Sequence, residues 1–135
     1  MLSSSAQRRE RGKILRGLPP LRGEIWNVHT PGQPKDPHQP RPALVISADE
    51  RNTTEDDVLV VPIFTRGESG PTHVPIRRGS GGLDHDSVIF CEEVTTLDLD
   101  FLSEGPLGDS VPGPLLRRVV RAVRIAIGDV PMPGE

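Results

Sequence analysis

Prolines and glycines fall so densely through this chain, at 29 of its 135 positions, that no regular element runs far before one interrupts it. The segments between them are short and rich in Val, Ile and Leu. Trp26, Phe64, Phe90 and Phe101 supply the whole aromatic content. One domain with an aliphatic core is therefore expected, with no room for a second. A single cysteine, Cys91, excludes an internal disulfide framework and a structural zinc cluster. No run of about 18 apolar residues exists to span a membrane, and the N-terminus lacks the apolar stretch of a secretory signal. A cytoplasmic protein is the expectation.

The net charge of −3 conceals an asymmetry: residues 1–22 carry +5 and the remainder −8. A generic nucleic-acid binder has a basic body, so any RNA or DNA contact on this acidic one must be local. The basic arm reads either as a solvated tail or as an arm that recruits a polyanion.

Along the chain, residues 1–20 read as a disordered basic tail, residues 21–130 as the folded domain and residues 131–135 as a second tail. Residues 24–28 alternate as a first strand. Residues 30–42 form a loop with five prolines. Residues 43–47 make a β-branched central strand, and 49–57 a charged turn. Residues 58–64 make a buried strand, in which Pro62 argues for a bulge or an edge. Short strands follow at 73–77 and 87–94, with a glycine-rich turn at 79–82 between them; residues 96–102 are a further strand or a turn of helix. After Pro112-Gly113-Pro114, the residues Leu116, Val119, Val120, Val123 and Ile127 recur at helical spacing. Arg117, Arg118, Arg121 and Arg124 oppose them, as a solvated face or a surface for an acidic partner. The pattern predicts a mainly β fold with a C-terminal helix, built as an antiparallel barrel or strongly bent sheet.

Templates for chemistry mostly fail. The four histidines are scattered, and in Asp84-His85-Asp86 an extended backbone turns His85 away from both carboxylates, so no metal site is expected. Cys91 reads as an inert thiol rather than a nucleophile. There is no nucleophile elbow and no phosphate-binding Walker loop. Arg41 stands out because Pro40 and Pro42 stiffen the backbone on both sides of it, just before a strand. Such a guanidinium suits a phosphate, with Lys35 and His38 adding positive charge from the same loop, or it pairs with one of the many acids.

Six fragments in order carry a resemblance: Arg22-Gly23-Glu24-Ile25-Trp26, Arg41-Pro42-Ala43-Leu44-Val45-Ile46-Ser47, Val61-Pro62-Ile63, Pro71-Thr72-His73-Val74, Asp86-Ser87-Val88-Ile89 with Glu92, and Thr96-Leu97-Asp98. Together they resemble the MazF/PemK toxin family over about residues 22–128. The resemblance implies a homodimeric, small SH3-like antiparallel barrel of the MazF/PemK/CcdB type. It also implies a metal-independent, sequence-selective endoribonuclease that cleaves single-stranded RNA through a 2′,3′-cyclic phosphate, needs no cofactor and is held by a MazE-like antitoxin with an acidic tail.

Carried over residue by residue, Arg41 matches the family's active-site arginine. The family places a Thr or Ser directly after Val-Pro-Ile, whereas here Phe64 follows Ile63 and the hydroxyl comes one residue late, at Thr65. Strand alternation sends that hydroxyl to the other face. A bulge near Pro62 is expected to restore Thr65, leaving Phe64 to stack on a base; otherwise Phe64 occupies the site. Glu92 is a candidate base or a structural ion-pair partner. Lys35, His38, Phe64 and Arg66 are the expected RNA contacts. Lys35 and Asp36 stand roughly where the family has His or Ser then Glu, and Glu93 and Thr95 stand where it often has Gln and Arg. Two other readings remain, a CcdB-like binder without catalysis and a decayed toxin that only sequesters antitoxin.

Overall fold

Both faces of one sheet are buried in the part of the chain that the computed structural model describes, residues 18–29 and 40–133. Most of the basic tail, Lys35, Asp36 and His38 lie outside the described residues. The strands are β1 (Ile25–Val28), β2 (Arg41–Val45), β3 (Asp57–Phe64), β4 (His73–Ile76), β5 (Ser87–Phe90), β6 (Thr95–Asp98) and β7 (Leu102–Glu104). Helix α1 (Asp49–Thr54) joins β2 to β3, and α2 (Gly113–Ala126) ends the fold. The strand order is β4-β5-β3-β2-β1-β7, with β6 also on β3, and every pairing is antiparallel. The fold is the expected one, although the strand path runs open from β4 to β7 instead of closing into a complete barrel. No helix among the described residues is long and apolar enough to cross a membrane.

Alternation along the central strands feeds two cores. Ile25, Leu44, Val61 and Ile63 face the cluster completed by Val119 and Ala122 of α2. Trp26, Val28, Ala43, Val45, Val58 and Val60 face the cluster covered by Leu97, Leu99 and Leu102. Such continuous apolar runs are what a sheet buried on both sides requires.

Strand β3 carries no bulge at Pro62. Its register with β2 runs unbroken through Val45↔Val60, Leu44↔Val61 and Ala43↔Pro62. Ile46 N–H donates to the Leu59 carbonyl, so the alternating backbone turns the Pro62 nitrogen to the opposite side. There the partner changes from β6, which ends its pairing at Val60, to β5, which begins at Ile63. The missing N–H falls in that gap and costs no ladder bond.

Three other expectations need correction. Residues 49–57 are not a plain turn, because 49–54 form α1. Asp49 and Glu50 suit the positive end of its dipole, and the Thr53 and Thr54 hydroxyls donate back to the Asp49 and Glu50 carbonyls. Strand β5 stops at Phe90, and Cys91–Glu93 is a 3₁₀ turn. In α2 the buried stripe is Val119, Ala122 and Ile125, while Ile127 lies past the last turn and is exposed. Gly128, with φ +85, ends the helix as its glycine predicts.

Helix α1 is pinned through a buried polar knot. Ser47 Oγ donates to Asn52 Oδ1 (2.5 Å), Asn52 Nδ2 donates to the Ser47 carbonyl (3.2 Å), and Leu59 N–H donates to Ser47 Oγ (3.0 Å). Asn52 is fully buried. Truncation to Asn52→Ala strands the Ser47 groups in the interior, and should lower stability by about 1–3 kcal/mol, read from urea denaturation followed by circular dichroism.

Candidate functional site

Arg41 opens β2, opposite Val28 of β1. Extending the β2–β3 register by two residues sets it across from Phe64, and its guanidinium carbon lies 4.7 Å from the centre of the Phe64 ring. With no bulge to turn it away, Phe64 takes the cross-strand place facing Arg41.

The contact continues across the sheet. The Phe64 and Phe90 rings meet edge to face at 4.7 Å, with planes 60° apart. Phe90, paired with His73 in the β4–β5 register, stacks on that imidazole at 4.0 Å and 17°. His73 Nε2 lies 2.6 Å from Glu92 Oε2, and its Nδ1 lies 3.1 Å from the Glu68 carbonyl. Thr72 Oγ1 also donates to Glu92, at 3.4 Å. Gly67, with φ +133, runs so close over Phe90 that a Cβ there would come within 2.8 Å of the ring. Four adjacent strands and the turn after β5 thus place Arg41, Phe64, Phe90, His73 and Glu92 in one row.

Thr65 goes elsewhere. Together with Arg41 it lines a cavity of about 730 Å³ whose other polar walls include Asn27, Asp84, His85 and Glu104. Asp84 and His85 also line an adjoining concavity that carries Arg77 and Arg78. Arg41 therefore stands where the row meets the cavity.

The sequence-predicted residues separate accordingly. Arg41 and Thr65 share the cavity, Arg41 and Phe64 share the row, and Glu92 sits at the far end of that row as a hydrogen-bond partner of His73. Arg66 is exposed beyond the end of β3. Sequence reasoning missed Asn27 and Glu104, which look like ordinary strand positions. In the sequence, Asp84-His85-Asp86 suggests a metal ligand rather than a cavity wall, and the polar neighbours of His85 are the available signal. An arginine held over a ring, beside a hydroxyl, an imidazole and two carboxylates, is equipped to bind an anionic oxygen and to exchange a proton.

Comparisons with known proteins agree with this architecture. Residues 21–127 match the family described as PemK-like, MazF-like toxin of type II toxin–antitoxin system. The chain is similar to Endoribonuclease MazF of Staphylococcus saprophyticus subsp. saprophyticus, with 35% identity over 86 residues, 62% of this chain and 72% of the relative. It superposes on an endoribonuclease in complex with its cognate antitoxin from mycobacterial species, with TM-score 0.68 and 25% identity over 84% of this chain and 99% of that one. It shares its fold with MazF from Deinococcus radiodurans, with TM-score 0.67 and 22% identity over 82% of this chain and 97% of that one.

Cys91 lies beneath this surface rather than in it. Its side chain is fully buried, and burial, with the Glu92 carboxylate adding to the effect, pushes the thiol up to about 12. The folded state therefore favours the protonated thiol. This group leaves stability unchanged at neutral pH and lowers it as pH climbs from 9.0 towards about 12. A thiol reagent at mildly alkaline pH should leave native Cys91 unmodified and label it fully in urea, as mass spectrometry would read.

Proposed function

This chain belongs to the PemK-like, MazF-like toxins of type II toxin–antitoxin systems and is an endoribonuclease toxin, and we propose that it cuts single-stranded RNA where β2 begins, with no metal ion. The observation that carries this reading is the convergence of Arg41 and Thr65 on one cavity that also holds His85 and Glu104. The ribose 2′-OH attacks the adjacent phosphorus and gives up its proton. The P–O5′ bond breaks, the leaving oxygen takes a proton, and the products carry a 2′,3′-cyclic phosphate and a 5′-hydroxyl. Arg41 offers paired N–H donors to the non-bridging oxygens as their charge grows. The Thr65 hydroxyl donates to the same phosphate. His85 is the nearest match to the proton-exchange role, because an imidazole both takes and gives a proton near neutrality.

The partners follow from the same reading. A MazE-like antitoxin lays an acidic tail over the arginine, as suits a solved relative whose structure includes its cognate antitoxin. Two copies of the toxin pair as a homodimer, and the protein works in the cytoplasm on short recurring RNA sequences. One observation favours a second reading, a decayed toxin that only sequesters antitoxin: Phe64, not a hydroxyl, faces Arg41.

Purified protein treated with EDTA, incubated with a long structureless RNA, separates the two. The nuclease should cut at a recurring short sequence and leave cyclic phosphate ends. Arg41→Ala should lower the rate by about 10²–10³-fold, the worth of one oxyanion donor. Thr65→Val should lower it by about tenfold, as for one hydrogen bond to a charged oxygen. A folded, antitoxin-free protein that cuts nothing would overturn the nuclease reading.

A further inference from the structure

We propose that Phe64, Phe90 and His73 are positioning residues for Arg41, and that Glu92 anchors this row instead of taking the proton. The inference rests on the ribonuclease reading for its kinetic consequence, though not for its geometry.

An arginine side chain has many rotamers, and fixing the guanidinium before substrate arrives removes an ordering cost from the reaction. Pro40 and Pro42 fix the backbone at Arg41 but leave its long side chain to be held by something else. Phe64 does this at 4.7 Å. Cation–π attraction acts on the guanidinium charge, and a stacked guanidinium keeps its in-plane N–H donors for hydrogen bonds. A hydroxyl in the place of Phe64 would offer the arginine no such surface.

Phe64 acts only as well as it is itself held, and each further contact supplies that. Phe90 meets its edge at 4.7 Å. Phe90 in turn packs against the His73 imidazole and lies close to the backbone of Gly67. The two His73 nitrogens face the Glu68 carbonyl and the Glu92 carboxylate, which pin the ring from both ends. Glu92 accepts from Thr72 as well. Its carboxylate is thus committed at the far end of the row, with two aromatic rings and an imidazole between it and Arg41. A general base must reach the proton it abstracts within hydrogen-bond distance or through one water, and Glu92 does not line the cavity that Arg41 and Thr65 share.

Two readouts test the proposal. The first needs no activity: the Nε–H signal of Arg41 in a ¹⁵N–¹H spectrum, assigned with Arg41→Lys, should be displaced by the ring beneath it. Phe64→Leu should remove that displacement, Phe64→Tyr should keep it, and His73→Ala should remove it in part. The second is kinetic. Phe64→Leu should lower kcat by about tenfold with little change in KM, and Phe64→Tyr should recover most of the loss. Glu92→Gln keeps an acceptor for His73 and should cost about threefold with the pH profile unaltered, whereas loss of a general base costs about 10²–10⁴-fold. An Arg41 signal that does not respond to Phe64→Leu overturns the row. A Glu92→Gln variant that loses activity on the scale of a base, with that signal in place, overturns the anchoring role. If the wild-type protein cuts no RNA, the ribonuclease reading fails, and the spectrum still decides the row.

Discussion

Strand β3 is asked to serve two interiors at once, and the rest of the molecule is arranged around that demand. Val58 and Val60 go to one core, Val61 and Ile63 to the other. With both faces apolar, neither can slip by one residue without driving a core side chain out of place. The same strand takes β2 along one side and β6 then β5 along the other. A rigid strand with a fixed register delivers its last side chains to fixed places. Phe64 and Thr65 are therefore sent to different surroundings by the same rule that sorts the core.

This sorting decides the character of the site. Arg41 shares its cavity with Asp84 and Glu104 and also meets an aromatic ring, and partly exposed ion pairs are worth little once solvent and salt screen them. A ring resists such screening and gives the guanidinium a rigid surface to lie against. The ring therefore gives the arginine a fixed surface at the rim of the cavity. The acidic body fits this economy, since a single oriented arginine at the rim of a mixed cavity gives a local handle for a phosphate.

Much of the fold was legible in the sequence because its strands are short apolar runs between breakers. Residues 24–28, 58–64 and 73–77 match β1, β3 and β4 to within a residue or so. What escaped has physical causes. Helix α1 has no apolar period to reveal it, and its anchor is Asn52 bonding to Ser47. Strand β5 ends early because Cys91–Glu93 coil into a 3₁₀ turn, although the Cys91 N–H still reaches the Thr72 carbonyl across from it. In the candidate site, the Pro-Arg-Pro run marked Arg41, and family resemblance marked the oddity of Phe64. The row itself could not be read, because it joins residues from four strands through register and ring contacts that no local pattern encodes.

Strand β4 carries a consequence of a different kind. It lies at one end of the strand path, and alternation turns the backbone groups of His73 and Pro75 away from the sheet. His73 is already bonded in both directions to Gly70, and Pro75 has no N–H to offer. A strand arriving from another molecule would meet an acceptor there but no donor, and a ladder needs both. At this strand backbone chemistry, rather than crowding, disfavours growth of the sheet.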